Sequence, residues 1–453
     1  MYVATENDTV SALSATTGTV IWSAHLGTPV PSSSLPCGDI SPTVGITGTP
    51  VIDQTRAELF VVADELVNGK PAHQLVGLST ATGKTEMSQN VDPAGSTPAA
   101  LLQRTGLTLD AGHVVFGYGG NYGDCSTYHG WVMAVPEGGG SAAAFAVDSA
   151  AGESQGAIWM GGAAPVVDAG GNIWVTAGNG SVYSSSHPYD DSDSLLELSP
   201  SLALEQYFAP SSWPSDNAHD LDMSTAAALL GDGQVVAAGK ARIVYLLNGS
   251  SLGGIGGQQA ALGDACGSDI DGGVAVVATT VYLPCLSGPI AVQTTDSPAG
   301  LRLLWSSSVG GGPPIVAGGR VWTIGSDGVL YGLNPTSGTV EARATIGAPA
   351  NHFPTPSVGA GLLLAPSAER VVAFTAASSA PAAARTATTT SESSTTVPST
   401  TVPSTTVPPT TVPAAQPGGT SPWIIVAAIV GGIAVLGALA WLIGRRRRRT
   451  GGS

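Results

Sequence analysis

The chain has 453 residues and a formal net charge of −16, with 32 acidic and 16 basic side chains. Only 11% of the residues are Asp, Glu, Lys or Arg, which excludes a coiled coil with charged flanking positions and a polybasic nucleic-acid binder. The hydrophobic content of 43% is too high for a chain that is disordered throughout.

Residues 1–376 are predicted to form short β-strands. Apolar, β-branched runs alternate with Gly, Asn, Asp and Pro turns, and no segment here has a sustained 3.6-residue period with capping signals. One type of strand recurs at an average spacing of about 50 residues, the range of propeller blades. Its eight copies are residues 1–4, 59–62, 113–116, 172–175, 234–237, 280–283, 320–323 and 362–365.

Each recurring strand has typical neighbours. Segments of small residues precede most copies, and the innermost strand of a propeller blade has room only for small side chains. These segments are 48–51, 162–165, 312–315 and 354–357. A third strand often ends in a Leu-x-x-x-Thr/Ser-Gly turn, as at 13–18, and an outer strand follows. The pattern predicts an all-β fold, a β-propeller with four-stranded antiparallel blades. A β-sandwich is the alternative, but it does not explain the repeat.

The two ends of this region look incomplete. The chain opens on a second strand, so the first blade lacks an inner strand, and the last blade lacks an outer strand after residues 371–374. Both missing strands would lie upstream of Met1. The sequence also opens without the basic region, the apolar region and the cleavage site of a signal peptide. We therefore expect that the chain is truncated at its N-terminus and that Met1 is not the true start.

Two acidic segments are candidate sites. Asp190, Asp191 and Asp193 could coordinate Ca²⁺ through hard oxygen ligands, although their spacing does not match an EF-hand and a solvated loop is the preferred interpretation. His219, Asp220 and Asp222 precede another inner strand and could face the mouth of an axial channel. Structural hydrogen bonding is an equal alternative for this second segment. No catalytic residue is assigned.

The four cysteines, Cys37, Cys125, Cys266 and Cys285, are an even number, as expected for disulfides in an exported domain. Four cysteines allow three pairings. Cys266 and Cys285 flank the inner and second strands of one blade, which favours a local pair and leaves Cys37 with Cys125. Free cytoplasmic thiols are the alternative, and a Cys125–His129 nucleophile is a weaker one.

A stalk is predicted to follow the propeller region. Residues 377–422 are rich in Ser, Thr and Pro, with tandem TTVPS-type repeats from Thr395 to Ala414. Regular proline favours polyproline II and prevents a packed core, so the segment is expected to be a disordered linker. At about 3.1 Å per residue, residues 386–422 of this segment could hold the propeller up to ~100 Å from a bilayer.

A membrane anchor is predicted at the C-terminus. Residues 423–443 contain no charge, have the length of a transmembrane helix, and carry Trp423 and Trp441 near the ends. The basic tail, 444–453, should stay cytoplasmic, which makes the chain a single-pass cell-membrane protein with an extracellular propeller. Its charges are Arg445, Arg446, Arg447, Arg448 and Arg449. A buried soluble helix and a cleaved sorting signal are the alternatives, but no LPxTG motif precedes the run.

The propeller region resembles the PQQ-like, quinoprotein-type β-propeller repeat proteins of bacteria. The stretches that carry the resemblance are 13–22, 35–53, 123–135, 171–181 and 193–210. The Thr-Gly-x-x-x-Trp repeat is intact at Trp22 but degenerate elsewhere, with Met87 and Ala342 in the tryptophan position. The resemblance implies eight blades, in agreement with the strand count, and a family that includes both enzymes and noncatalytic binders.

The resemblance leaves two functions open. Quinone-dependent dehydrogenases of similar fold use PQQ, calcium and an adjacent cysteine pair, whereas no two cysteines are adjacent here. We therefore predict a noncatalytic binding or scaffolding module on the cell surface, with a protein, glycan or small-molecule ligand and no nucleic acid. A PQQ-dependent oxidoreductase or another extracellular enzyme is the alternative.

Overall fold

Eight antiparallel sheets follow one another along the chain, and the strands of each sheet pair mainly in sequence order. The computed structural model describes residues 1–347 and 353–375. Within these residues, no helix is long and apolar enough to cross a membrane. The predicted stalk, the predicted span 423–443 and the arginines that follow lie outside the described residues.

Blades 1 to 4 occupy the first half of the described chain, and a two-stranded ribbon joins the first two of them. The strands are β1 (Tyr2–Ala4), β2 (Thr9–Leu13) and β3 (Val20–His25) in blade 1; β4 (Val30–Pro31) and β5 (Thr43–Val44) in the ribbon; β6 (Val51–Asp53), β7 (Glu58–Val67), β8 (Lys70–Ser79) and β9 (Thr85–Asn90) in blade 2; β10 (Leu101–Leu102), β11 (Thr108–Asp110), β12 (His113–Gly120), β13 (Trp131–Pro136) and β14 (Ala143–Ala146) in blade 3; and β15 (Val166–Val167), β16 (Ile173–Ala177), β17 (Ser194–Leu198) and β18 (Leu204–Ala209) in blade 4.

Blades 5 to 8 complete the ring. A short helix, α1 (Trp213–His219), precedes them, and three 3₁₀ turns lie at Ser32–Ser34, Pro98–Ala100 and Met160–Gly162. The strands are β19 (Ala228–Leu229), β20 (Gln234–Ala238), β21 (Val244–Asn248) and β23 (Ala260–Leu262) in blade 5, with β22 (Gly254–Ile255) added to blade 4; β24 (Ala275–Val277), β25 (Thr280–Leu283), β26 (Ile290–Asp296) and β27 (Ala299–Ser306) in blade 6; β28 (Ile315–Ala317), β29 (Arg320–Ile324), β30 (Val329–Leu333) and β31 (Val340–Thr345) in blade 7; and β32 (Ser357–Gly359), β33 (Leu362–Ser367) and β34 (Arg370–Thr375) in blade 8.

The predicted eight-bladed, all-β propeller is confirmed. In blades 2 to 8 each recurring strand of the sequence pairs with the inner strand as the next strand outward, and in blade 1 the recurring strand is β1, the first described strand. Blades 1 and 8 have three described strands each, as the strand pattern predicts. Blades 3 and 4 have five strands rather than four, because the inner strand of blade 3 is interrupted between β10 and β11 and because β22 joins β18 in parallel.

One helix departs from the sequence prediction. Helix α1 has only seven residues, too few for a 3.6-residue period to stand out. Pro214 lies in its first turn, where a missing N–H costs nothing. Trp213 is 3% exposed and packs edge-on against Tyr189, with the ring centroids 5.2 Å apart. The helix therefore caps blade 4.

A hydrophobic core lies between each blade and the next. Successive residues of a strand point to opposite faces, so each central strand serves two cores. In β12, Val114 and Phe116 pack toward blade 2, whereas Val115 packs toward blade 4. Burial on both faces explains why these strands read as continuous apolar runs, and it couples the stability of each blade to that of its neighbours.

Tryptophans on two outer strands join neighbouring blades at the rim. The Trp22 indole Nε1 donates to the Thr80 carbonyl of blade 2 at 3.0 Å, and Trp305 donates to the Pro335 carbonyl of blade 7 at the same distance. Each ring lies on the turn glycine of the next blade, Gly83 (φ 70°) in the first case. A side chain at Gly83 would overlap the indole, so this glycine supplies both the turn geometry and the docking surface.

Candidate binding site at the propeller axis

The innermost segments of the blades bond to one another around the axis. The Gly106 N–H donates to the Gly162 carbonyl at 3.0 Å, which links blades 3 and 4, and the Ala226 N–H donates to the Gly272 carbonyl at 3.2 Å, which links blades 5 and 6. A Cβ atom at Gly161 would overlap the Gly272 main chain. Main chain therefore meets main chain between these blades, with no room for a side chain.

The predicted small-residue segments explain this packing. A Cβ atom at Gly273 would lie 3.6 Å from the Pro313 Cβ and 3.8 Å from the Ala163 Cβ. The segments 162–165 and 312–315 therefore bring blades 4 and 7 against blade 6, directly before the inner strands β15 and β28. Larger side chains at these positions would push the blades apart.

Charged side chains occur next to the innermost segments of blades 3, 5 and 6. Arg104 precedes the Gly106 segment, and Asp222 and Asp271 precede the inner segments of blades 5 and 6. Lys240, which follows β20, lies with its Nζ atom 3.0 Å from Asp220 Oδ1 and also pairs with Asp222. We call these five residues the axial cluster.

The pKa values show that the charges of the axial cluster interact. Burial alone would lower the pKa of Lys240, but Asp222 and Asp220 outweigh it and raise the pKa, so the ammonium remains charged. Burial raises the pKa of Asp271 to about 6, against the lowering effect of Arg104 and Lys240. The five side chains therefore form one electrostatic unit.

Arg104 also makes an aromatic contact. Its Cζ atom lies 3.8 Å from the centroid of the Phe353 ring, and 5.8 Å from that of Trp159. Phe353 belongs to the segment that leads into blade 8, so the contact joins blade 3 to blade 8. A cation–π contact of this kind contributes about 1 kcal/mol.

A second set of polar groups supports the axial cluster. The Asn179 main-chain N–H donates to Asp222 Oδ1 at 2.7 Å, and its side-chain amide donates to Asp220 at 2.9 Å. In blade 3, the Tyr128 hydroxyl donates to Asp124 at 2.7 Å. Burial is the main cause that raises the pKa of Asp124, and Asp222 and Asp220 add to it, so Asp124 lies within the same electric field.

Both predicted disulfides are present. Cys37 pairs with Cys125, and Cys266 pairs with Cys285, with Cα atoms 6.2 and 6.0 Å apart. The first bond ties the ribbon after blade 1 to the loop of blade 3 that carries Asp124. Because Cys125 is oxidised, the alternative of a Cys125–His129 nucleophile does not hold. His129 packs instead against Trp131, with ring centroids 6.4 Å apart.

The acidic segment of blade 4 is not the solvated loop that the sequence suggests. Asp190 and Asp193 are 3% and 0% exposed, and Asp191 is half-buried. Their carboxylates do not converge on a single point, because Asp193 interacts with Asp222 and Asp216 while Asp190 faces Asp148. In the described ranges, no three His, Cys, Asp or Glu side chains are grouped so that they could hold a metal ion.

An open depression adjoins the axial cluster at the end of α1. It has a volume of about 480 Å³ and is lined mainly by hydroxyl groups, with the His219 ring and the Tyr183 ring, which is 59% exposed. Hydroxyl and aromatic groups suit a polar ligand such as a glycan. His219 itself is exposed and bonds to the Ser215 carbonyl, whereas its neighbours Asp220 and Asp222 belong to the axial cluster.

Sequence reasoning identified two members of the axial cluster and missed three. Asp220 and Asp222 were candidates, whereas Arg104, Lys240 and Asp271 were not. Each of the missed residues has a signal in the sequence: Arg104 and Asp271 are charges next to small-residue inner segments, and lysine is rare throughout the chain. A charge at an inner position of a propeller is therefore worth testing as a site residue.

These features define the chain as an eight-bladed β-propeller with a charged axial face, and the fold has known relatives. Residues 1–189 match the sequence model of the family described as outer membrane protein assembly factor BamB. BamB from Moraxella catarrhalis has a similar structure: it is 15% identical, the TM-score is 0.52, and the match covers 82% of this chain and 89% of that chain.

Two quinone enzymes are also similar in fold. Quinohemoprotein alcohol dehydrogenase from Comamonas testosteroni is 16% identical with a TM-score of 0.56, covering 80% of this chain and 68% of that chain. A europium-containing methanol dehydrogenase is 12% identical with a TM-score of 0.56, covering 80% of each chain. No curated protein sequence matches this chain. These matches agree with the resemblance to PQQ-like repeat β-propellers that the sequence motifs indicate.

The residues implied for PQQ binding do not fit. The resemblance implies an adjacent cysteine pair against the cofactor, but the cysteines of this chain form bonds across 88 and 19 positions. A flat tricyclic cofactor also needs a slot, and the main chains at Gly161 and Gly272 are in contact near the axis.

Proposed function

We propose that this chain is a membrane-anchored, extracellular module that binds a protein, glycan or small-molecule ligand with its axial face and does not catalyse a reaction. The observation that carries the proposal is the axial cluster. This cluster contains charges of both signs: Arg104 comes from blade 3, Asp271 precedes blade 6, and Asp220, Asp222 and Lys240 come from the chain between β18 and β21. Lys240 is paired with carboxylates rather than with a nucleophile. Such a surface favours recognition of a polar ligand through electrostatic complementarity.

The predicted compartment has independent support. Two disulfides are typical of proteins in oxidising surroundings, and the strongly acidic, lysine-poor composition suits an exposed soluble domain. The uncharged run 423–443 followed by five arginines has the pattern of a single-pass anchor with a cytoplasmic tail. Together these features favour display at the cell surface.

The comparison with BamB supports a noncatalytic role. That protein is described as an outer membrane protein assembly factor, a description that names assembly and no reaction. Propellers place variable loops around a shared axis, an arrangement suited to partner recognition. The open depression beside the axial cluster extends this surface.

A PQQ-dependent oxidoreductase is the second candidate, because two dehydrogenases of known structure share the fold. The two functions differ in a direct assay. The purified full-length chain is dialysed against PQQ with Ca²⁺, and reduction of an artificial electron acceptor is then followed with primary alcohols. We expect neither retained PQQ nor reduction above the buffer control. Retention together with turnover would establish the enzyme instead.

Binding at the axial face is tested by photo-crosslinking on intact cells. A photoreactive residue replaces Asp220, whose side chain is 73% exposed, and a matched control replaces Val340 on the outer strand β31, which is 44% exposed. We expect a discrete crosslinked species from position 220 alone. Two results would contradict binding at this face. One is the same amount of crosslinked product from positions 220 and 340, and the other is no crosslinked product from position 220 when both proteins and glycans are detected.

Topology has its own test. A tag after Ser453 should be accessible to antibody only in permeabilised cells, while protease added outside should remove the propeller. Accessibility of the tag in intact cells would overturn the predicted orientation without affecting the binding proposal.

A further inference from the structure

A second group of acidic side chains lies between blades 3 and 4, apart from the ion pairs of the axial cluster. Asp148 follows β14, and Asp190 lies in the long loop between β16 and β17. The two residues are 42 positions apart, yet the Asp148 N–H donates to the Asp190 carbonyl at 3.2 Å. Both are buried, with 1% and 3% of their surface exposed.

The carboxylates of Asp148 and Asp190 face each other across Gly180. If Gly180 carried a Cβ atom, it would lie 2.5 Å from Asp190 Oδ2 and 2.7 Å from Asp148 Oδ2. Gly180 has no side chain, so both oxygens point toward the same small space. The fold thus brings together two oxygens of the type that hard cations prefer.

Three of the four carboxylate oxygens have no hydrogen-bond partner. Asp190 Oδ1 accepts from the Ser192 hydroxyl at 2.5 Å, whereas Asp190 Oδ2 and both oxygens of Asp148 are buried and accept no hydrogen bond. Buried carboxylates are normally paired or bound to a metal, because leaving one unpaired is costly. These oxygens therefore lack the partner that their burial requires.

No cation of the described chain compensates these charges. Among the described residues, 1–347 and 353–375, no ion pair includes Asp148 or Asp190. Glu153 and Asp191 add further negative potential. Burial, followed by repulsion from Asp190 and Glu153, raises the pKa of Asp148 to about 10. The local field favours any positive charge that can enter.

We propose that Asp148 and Asp190 bind a hard divalent cation of the Ca²⁺ class. The ligand chemistry is all oxygen, with no thiolate and no imidazole in the pair, which suits Ca²⁺ better than a transition metal. Two carboxylates supply up to four oxygens, and main-chain oxygens and water complete the six to eight ligands that Ca²⁺ takes. The cation would fasten the β14–β15 connection to the β16–β17 loop.

This site differs from the one suggested by the sequence. Asp190, Asp191 and Asp193 are neighbours in the chain, but of these only Asp190 belongs to the proposed cation site, where its carboxylate faces that of Asp148. Asp148, which no sequence spacing marks, provides the second carboxylate. The proposal does not depend on the function proposed above, since a structural cation would serve a binder and an enzyme equally.

Calcium-dependent stability of the purified full-length chain tests the site. After removal of metal with EDTA, the thermal midpoint and the heat of binding are measured at pH 7.5 with and without 1 mM CaCl₂. We expect an upward shift of a few degrees and a saturable binding heat, both lost in Asp148→Asn. Asp8→Asn is the matched control, because Asp8 is also fully buried with two unpartnered oxygens, but in blade 1.

The alternative is that protons alone neutralise the pair. In that case the wild-type chain shows no binding heat and no calcium-dependent shift, and this result overturns the proposal. A calcium response that persists unchanged in Asp148→Asn, or that disappears only in Asp8→Asn, overturns it as well. If Asp148→Asn does not fold, Asp190→Asn is measured in the same way, with the same loss of response expected.

Discussion

The rim of the propeller and its axial end are built on different principles. At the rim the same contact occurs twice, with Trp22 on the turn of blade 2 and Trp305 on the turn of blade 7. At the axial end each charged group occurs once, and Arg104 reaches Phe353 in a distant blade. The repeated tryptophan contacts at the rim hold neighbouring blades together. The charged residues at the axis, which do not repeat, determine which ligands the axial face can bind.

The largest effect on stability should come from the disulfide that joins the ribbon after blade 1 to the loop of blade 3. Replacing Cys37 and Cys125 by Ser opens a loop of 88 positions, for which the chain-entropy estimate is about 4.6 kcal/mol of unfolding free energy. Replacing Cys266 and Cys285 opens a loop of 19 positions and should cost about 3 kcal/mol. Denaturant unfolding of both double variants measures the difference. A larger loss from the short loop would contradict the estimate.

Removing a rim tryptophan should have the next largest effect. Trp305→Ala deletes a 7%-exposed indole between blades 6 and 7, and we expect a loss of about 3 kcal/mol in unfolding free energy. Met87→Ala is the matched control, because Met87 occupies the same position of the repeat in blade 2 with a smaller side chain. Chemical denaturation of both variants provides the measurement, and equal losses would show that the indole has no special docking role.

The repeating part of the fold could be predicted from the sequence, and the axial end only partly. Strand positions follow from apolar runs buried on both faces, and the turn glycines follow from the positive φ that Gly83 adopts. The contact between Arg104 and Phe353 joins residues far apart in the chain through a shared axis, which no local pattern encodes. Asp220 and Asp222 were found because they precede an inner strand, while Lys240 follows a strand and was missed.

A buried acid in blade 1 should make the stability of the propeller sensitive to pH. Burial raises the pKa of Asp8 from 3.8 to about 8, and Glu65, Asp64 and Glu6 add to the shift. The folded chain then keeps a proton that the unfolded chain has released, so the unfolding free energy falls as the pH rises from about 4 to about 8.

Asp8→Asn tests this effect. The variant should lose that part of the pH dependence, on the order of 2 kcal/mol between pH 5 and pH 8, as measured by urea unfolding at each pH. Asp53→Asn is the control, because desolvation raises the pKa of Asp53 but hydrogen bonds, first those from the Arg56 and Thr55 main chain, outweigh it and lower the pKa. An unchanged pH profile in Asp8→Asn would show that Asp8 is already ionised in the fold.

The smallest effect on stability, and the largest on binding, is expected at the axis. Arg104→Ala removes the guanidinium that stacks on Phe353, and because this contact is a single cation–π pair we expect a loss of about 1 kcal/mol in unfolding free energy. Crosslinking from position 220 should nevertheless fall strongly, since the axial cluster loses one of its two cations. Arg343→Ala on β31 provides an exposed arginine control that should keep both stability and crosslinking. A loss of several kcal/mol in Arg104→Ala would mean that Arg104 holds the blades together, and the distinction between a structural rim and a recognition surface at the axis would then fail.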